Sequence, residues 1–208
     1  MPRGRPREFD IDQALDAALD VFWRKGYEGA SLPDLTAAMG INRPSLYAAF
    51  GSKEELFRRV IARYVEGPAA CVRKAIDEPT AQAVAERLLN ASIDVVTDPR
   101  NPRGCLLVQG ALACGEAAES IREQLLAQRQ GTEAAVRRRF ELAQAERDLP
   151  ADSDPAGLAR FIVTVMRGIA VQAAGGATRQ ELRRVAELAL QAWPRQRRRK
   201  RALAGSRG

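Results

Sequence analysis

The stretch GYEGASLPDLTAAMGINRPSLYAAFGSKEELF, Gly26 to Phe57, decides how the rest of the chain is read. Ser31 stands as a helix N-cap, Pro33 is tolerated in the first turn, and Asp34 completes a capping box. Leu35, Ala38 and Met39 then face inward, and Gly40 ends this short helix. Asn42 caps another short helix whose first turn holds Arg43 and Pro44. Leu46 and Phe50, four residues apart, form its buried face, joined by Ile41 from the turn. By elimination Arg43, Ser45, Tyr47 and Ala48 are directed sideways or outward. Ser52-Lys53-Glu54-Glu55 reads as a second capping box, opening a helix with Leu56, Phe57, Val60, Ile61 and Tyr64. Upstream, Asp10 and Gln13 start a longer helix from about Ile11 to Lys25, with Leu15, Ala18, Leu19 and Phe22 at helical spacing, and Gly26 stops it.

Two short helices joined by a four-residue turn containing Gly, braced by a longer preceding helix, describe a helix-turn-helix unit. A plain three-helix bundle with no DNA role has the same periodicity. Three features favour DNA: small outward residues that permit close approach, cationic Arg43 and Lys53 at two helix starts, and a basic arm in front. Arg43 suits a guanine, whose O6 and N7 a guanidinium can bridge, and equally a phosphate. The backbone amides and Ser31 at the start of the Ser31 helix can anchor a phosphate through the helix N-terminus.

Composition sets the class around this unit. The 208 residues are 46% apolar and poor in aromatics, with abundant Ala, Leu, Arg, Glu and Gln, a mixture that predicts an all-α protein with a real core. The chain has no His, which removes His-based acid–base catalysis, Ser-His and Cys-His nucleophile pairs and His-containing metal sites. No CxxC pair is present and no carboxylates pair in a recognisable site, so neither enzyme activity nor a metal or other cofactor is expected. Three widely spaced cysteines suit a reducing compartment, no apolar run approaches the roughly 18 residues of a membrane span, and no signal-like apolar region follows the N-terminal charges; a cytoplasmic protein is expected.

The net charge of +7 is concentrated at the ends. Residues 195–208 hold seven basic and no acidic side chains, and the arm 1–8 holds Arg3, Arg5 and Arg7 against Glu8, leaving the stretch between close to neutral. Such ends favour polyanions, nucleic acid first. Within PRGRPR, Arg3-Gly4-Arg5-Pro6 resembles the AT-hook core, in which Arg side chains enter a narrow minor groove; a merely solvated basic end is the alternative. The tail has no periodicity and is expected to be disordered.

From Gly67 onward the pattern is of Ala-rich helices separated by Pro, Gly and Asp. Helices are expected over Thr80–Thr97, Cys105–Ala113, about Ala118–Asp148, Leu158–Ala174 and Arg179–Trp193, the Ala118 helix having its apolar face interrupted around Gln128 to Thr132. The domain organisation expected is an arm at 1–8, a helix-turn-helix domain at 9–66, a ligand-binding and dimerisation domain at 67–194 and a tail at 195–208. The last two helices carry apolar stripes wider than one packing partner needs. Phe161, Val165, Ile169, Leu182, Val185, Ala189 and Trp193 are therefore expected in a two-fold four-helix interface, unless the stripes pack within one subunit. A pocket is expected among the helices of Thr80–Asp148 and the front of the Leu158 helix. Cys105, Gln109, Thr132, Phe140, Thr164 and Gln172 are its candidate residues, and an uncharged or lipophilic ligand is expected.

Gly26 to Phe57 resembles the N-terminal DNA-binding domain of the tetracycline-repressor (TetR) family of bacterial regulators, and the resemblance covers Phe9 to about Tyr64. RGCLLVQGALA, Arg103 to Ala113, is similar to a segment of one large subgroup. The resemblance implies a homodimeric all-α repressor whose C-terminal domain binds a small molecule and thereby releases operator DNA. Tyr47 and Lys53 match family positions that hold phosphates, and Arg43, Pro44, Ser45 and Ala48 match positions that read base edges. Two other readings stay open: a DNA-binding protein that responds to no ligand, and one in which Cys105, at a helix start that can lower a thiol pKa, meets an oxidant or electrophile. Cys105 can equally be a small buried residue. Cys114, nine residues on, lies on the opposite face of the same helix, and Cys71 is expected to be structural.

Overall fold

The structure, a computed structural model, describes residues 9–112 and 118–194. The arm with Arg3 and Arg5, Cys114 and the Arg-rich tail lie outside them. The helices are α1 (Ile11–Gly29), α2 (Leu32–Met39), α3 (Arg43–Phe50), α4 (Lys53–Glu66), α5 (Ala70–Ala75), α6 (Ala81–Thr97), α7 (Leu106–Leu112), α8 (Glu119–Ala145), α9 (Pro155–Ala174) and α10 (Arg179–Gln191), so the fold is all-α.

Local sequence accounts for most of the boundaries. Asp10, Ser31, Asn42, Ser52, Thr80, Asp154 and Thr178 each accept a first-turn amide through the side chain. At Ser31 and Thr178 the return bond from Asp34 and Glu181 closes the capping box. At Ser52 only the forward half forms, because Glu55 turns toward Arg58 instead. Gly26 takes φ 69° and breaks α1, so the regular helix ends at Lys25 and one further turn runs to Gly29. The turn before α3 is Gly40, Ile41 and Asn42, tighter than the expected four residues because Gly40 enters the left-handed region at once. α5 was not expected; its N-cap Ala69 makes no side-chain hydrogen bond.

Two buried clusters form. The first gathers Ala18, Phe22, Trp23, Leu35, Leu46, Phe50, Phe57 and Ile61 from α1–α4, and it continues into Leu106 of α7 and Ile121 and Leu125 of α8. The second joins α6, the later part of α8, α9 and α10, with Phe140 and Trp193 edge to face at 5.3 Å. α8 thus serves both cores, and the polar run Gln128–Thr132 is the gap between its two apolar segments. α9 is apolar and long enough to cross a membrane by length and composition. It packs instead against α6, α8 and α10 as a core helix, with Arg160 and Arg167 in ion pairs to Glu133.

Candidate nucleic-acid interface and cavity

α3 is held through its buried residues Leu46 and Phe50, which leaves its opposite face free. Leu46 and Phe50 point into the core, while Arg43, Pro44, Tyr47 and Ala48 are exposed and Ser45 is half-buried. Tyr47 is 46% exposed, a large share for an aromatic ring. A helix with its side chains is about 10–12 Å across, the width of the B-DNA major groove, and the eight residues of α3 give a rod about 12 Å long to lie in it. Asn42 fixes the leading end by accepting the Ser45 amide at 2.8 Å.

The cations of this unit divide into two groups. Arg24, Lys25, Arg58 and Arg63 are each neutralised by acids of the unit, Arg63 by Asp12 and Asp16 together. Arg43 has no ion pair among the described residues. Lys53, half-buried at the start of α4, lies 4.6 Å from the centre of the Tyr27 ring, and burial pulls its ammonium below the usual value against the influence of Glu28. Arg59, exposed on α4, also has no ion pair among the described residues and lies 5.5 Å from the centre of the Phe50 ring, so the charge left available lies at the starts of α3 and α4 and at Arg59. Ser31 is exposed, but its amide and hydroxyl both donate to Asp34, at 3.1 and 2.7 Å, and Lys25 holds that carboxylate at 2.7 Å. Asp34 is thereby lowered to about 2, first by the Lys25 bond and then by Ser31. The first turn of α2 already carries an anion of its own.

α4 connects this face to the second core. At its far end buried Tyr64 donates from its hydroxyl to Cys105 Sγ at 3.3 Å. Trp23 meets Tyr64 edge to face at 4.8 Å, and its indole N–H donates to the Gly104 carbonyl at 3.1 Å. Gly104 has φ 90°, and a Cβ there would come within 2.7 Å of the Gln109 side chain, so this joint requires glycine. Near the other end of α4, Ser120 of α8 donates to Glu54 at 2.6 Å.

Beneath Tyr64 lies a partly open cavity of ≈ 270 Å³, bounded by the end of α4 and by α5, α6, α7, α8 and α9. Val72, Val95, Val108 and Met166 give it apolar walls, and Cys71, Cys105, Thr132, Arg129 and Arg167 add polar atoms. Burial pushes the Tyr64 phenol well above its usual value and raises the Cys71 thiol.

Of the six residues expected in a pocket, Cys105 and Thr132 line this cavity. The other four do not, and the expectation is corrected. Phe140 is fully buried against Trp193, Thr164 and Gln172 face solvent from α9, and the Gln109 amide is tucked under Gly104. The seven interface residues also divide. Phe161 and Val185 are exposed and Val165 is half-buried, whereas Ile169, Leu182, Ala189 and Trp193 are buried in their own subunit's core. The sequence stripe merged two faces of each helix. The outward apolar face consists of Phe161 and Val171 on α9 with Val185 and Leu188 on α10, 39–52% exposed. Tyr64, Arg129 and Arg167 escaped the sequence reading as cavity residues. Arg129 fell in the polar interruption of α8, which was the available signal.

These features agree with known proteins. Residues 14–60 match "Bacterial regulatory proteins, tetR family" and residues 82–189 match "Tetracyclin repressor-like, C-terminal domain". The chain is 33% identical over 199 residues to the HTH-type transcriptional repressor ComR of Escherichia coli, covering 92% of each chain. It is 32% identical over 190 residues to the repressor BdcR of the same organism, covering 89% of this chain and 90% of that one. A cysteine mutant of the TetR family transcriptional regulator CifR, solved with 26 bp of double-strand operator DNA, superposes with a TM-score of 0.87 at 46% identity, covering 91% of this chain and 100% of that one. With one matched domain at the DNA-reading end and the other around the cavity, the chain belongs to the TetR family of DNA-binding transcriptional regulators.

Proposed function

We propose that the protein is a cytoplasmic homodimeric repressor that binds a palindromic operator and is released from it by a small molecule entering the cavity. The observation that carries this reading is α4, a single helix with Lys53 beside the DNA-reading face at one end and Tyr64 over the cavity at the other. A ligand that displaces Tyr64 tilts a rigid rod of about 20 Å and so moves Lys53 and α3 relative to the partner subunit. Arg43, Pro44, Ser45 and Ala48 read base edges, Tyr47 and Lys53 hold phosphates, and Arg3 and Arg5 enter the adjacent minor groove. Ser31 acts first as the cap that keeps α2 in place. Phe161, Val171, Val185 and Leu188 meet their symmetry copies in the dimer, and the small Gly168, with open space beyond it, lets the α9 helices approach closely. In this reading the chain binds and does not catalyse.

Selection of binding sites from random duplex DNA tests it. The expected result is one enriched palindrome with half-sites about one duplex turn apart or a multiple of that. Enrichment of no sequence contradicts the proposal.

One observation favours a second reading, in which the signal is an electrophile. Cys105 lines the cavity and accepts the Tyr64 hydroxyl, so alkylation of Sγ removes that bond and adds bulk under α4. Treatment with N-ethylmaleimide, whose double bond takes up the thiol as a thioether, is expected to release DNA from the wild type and not from Cys105→Ser. Equal release from both sinks this reading.

A further inference from the structure

The cavity carries an electrostatic asymmetry that its apolar walls do not suggest. Three of its lining residues are arginines, Arg73, Arg129 and Arg167, and none is acidic. Arg73 is exposed at the edge. Arg167, only 26% exposed along its side chain, donates to the Arg129 carbonyl at 2.6 Å and stands 3.7 Å from Glu133. Glu133 is held closer by Arg160, at 3.0 Å, so one carboxylate serves two guanidinium groups. Arg129 has no ion pair among the described residues, and its Nε is buried without a hydrogen-bond partner. A buried guanidinium donor left unmatched is costly. Burial and the nearby Arg129 charge both push the Arg167 guanidinium below its usual value, opposed by Glu133.

An anion seated between these two side chains removes that imbalance. We propose, resting on the reading of the cavity as the effector site, that it takes an amphipathic organic anion: a carboxylate held by Arg129 and Arg167, with an apolar body against Val72, Val95, Val108 and Met166. A planar guanidinium offers paired donors that match a carboxylate. At ≈ 270 Å³ the cavity falls just below the roughly 300–1,000 Å³ typical of small-molecule sites, which sets a short aliphatic chain or one or two rings as the body. Of the expected uncharged or lipophilic ligand, the lipophilic body is kept and a charged head is added.

Calorimetric titration of the full chain with octanoate, 1-octanol and octylammonium tests the proposal, since the three share a body and differ in head charge. The expected result is binding of octanoate at least about tenfold tighter than octanol, with octylammonium weakest. Arg167→Gln should remove the preference for octanoate over octanol. Arg129→Gln, which breaks no ion pair, should reduce it and serves if the first variant fails to fold. Equal binding of octanoate and octanol, a preference unaffected by both variants, or no binding of any probe overturns the proposal. Operator binding by the wild type is scored separately. A chain that binds operator and none of the probes keeps the regulator reading and loses this one. A chain that selects octanoate while its operator complex is unmoved keeps this one and loses the effector role.

Discussion

Replacing Trp23 by Phe tests the joint between the DNA-reading unit and the cavity. Trp23 is buried, donates to the Gly104 carbonyl at 3.1 Å and meets Tyr64 edge to face. Phe keeps an aromatic ring and removes the donor, leaving a buried carbonyl unpaired at a cost of about 1–3 kcal/mol. The lost indole atoms add about 1–2 kcal/mol of transfer and cavity energy. Trp193→Phe is the control, because the same atoms leave a buried site where the indole makes no hydrogen bond among the described residues. Urea unfolding followed by circular dichroism at one fixed protein concentration should show Trp23→Phe losing about 1–3 kcal/mol more than the control. Equal losses, within about 0.5 kcal/mol, would mean that the Trp23 bond contributes nothing to the joint.

Two further outcomes are expected. The Asp34 carboxyl, ordinarily near 3.8, is held at about 2 by Lys25 and Ser31. A depressed folded value stabilises above the unfolded one, so the advantage of wild type over Asp34→Asn should be full above roughly pH 5 and fade as pH falls from about 4 toward 2. A urea-midpoint difference that does not change with pH contradicts this. Leu188→Arg places a charge on the outward face of α10, where the side chain is 52% exposed in the single subunit. Sedimentation velocity should show a dimer for wild type and monomer for the variant, with helicity retained; a dimeric variant removes α10 from the interface.

The parts of the fold that were legible in the sequence are those set by local chemistry. Ser31, Asn42, Ser52 and Thr80 announce their helices because a side-chain oxygen three residues ahead of an amide is a local arrangement. Leu46 and Phe50 identify the inner face of α3 by spacing, and the outward set follows from them. Spacing does not say which of two apolar faces meets which neighbour. Leu182, Ala186 and Ala189 on the buried side of α10 and Val185 on the exposed side therefore merged into one stripe, and Leu188, exposed like Val185, was left out of it. The cavity's arginines were missed for a different reason. Only the meeting of α8 with α9 places Arg129 and Arg167 at one wall. Tyr64 read as core, which it is, without revealing the space beneath it.

If the protein acts as proposed, the outer face of α3 grips a specific duplex. Fluorescence anisotropy of the purified chain on DNA from its own upstream region, with excess competitor DNA and with Tyr47→Ala, tests it most directly. Tyr47 is exposed and supports no core contact, so the variant should fold as the wild type does. Tight wild-type binding that survives competitor and falls on the order of tenfold or more in the variant is expected. Binding that competitor abolishes, and that Tyr47→Ala leaves unchanged, would contradict it.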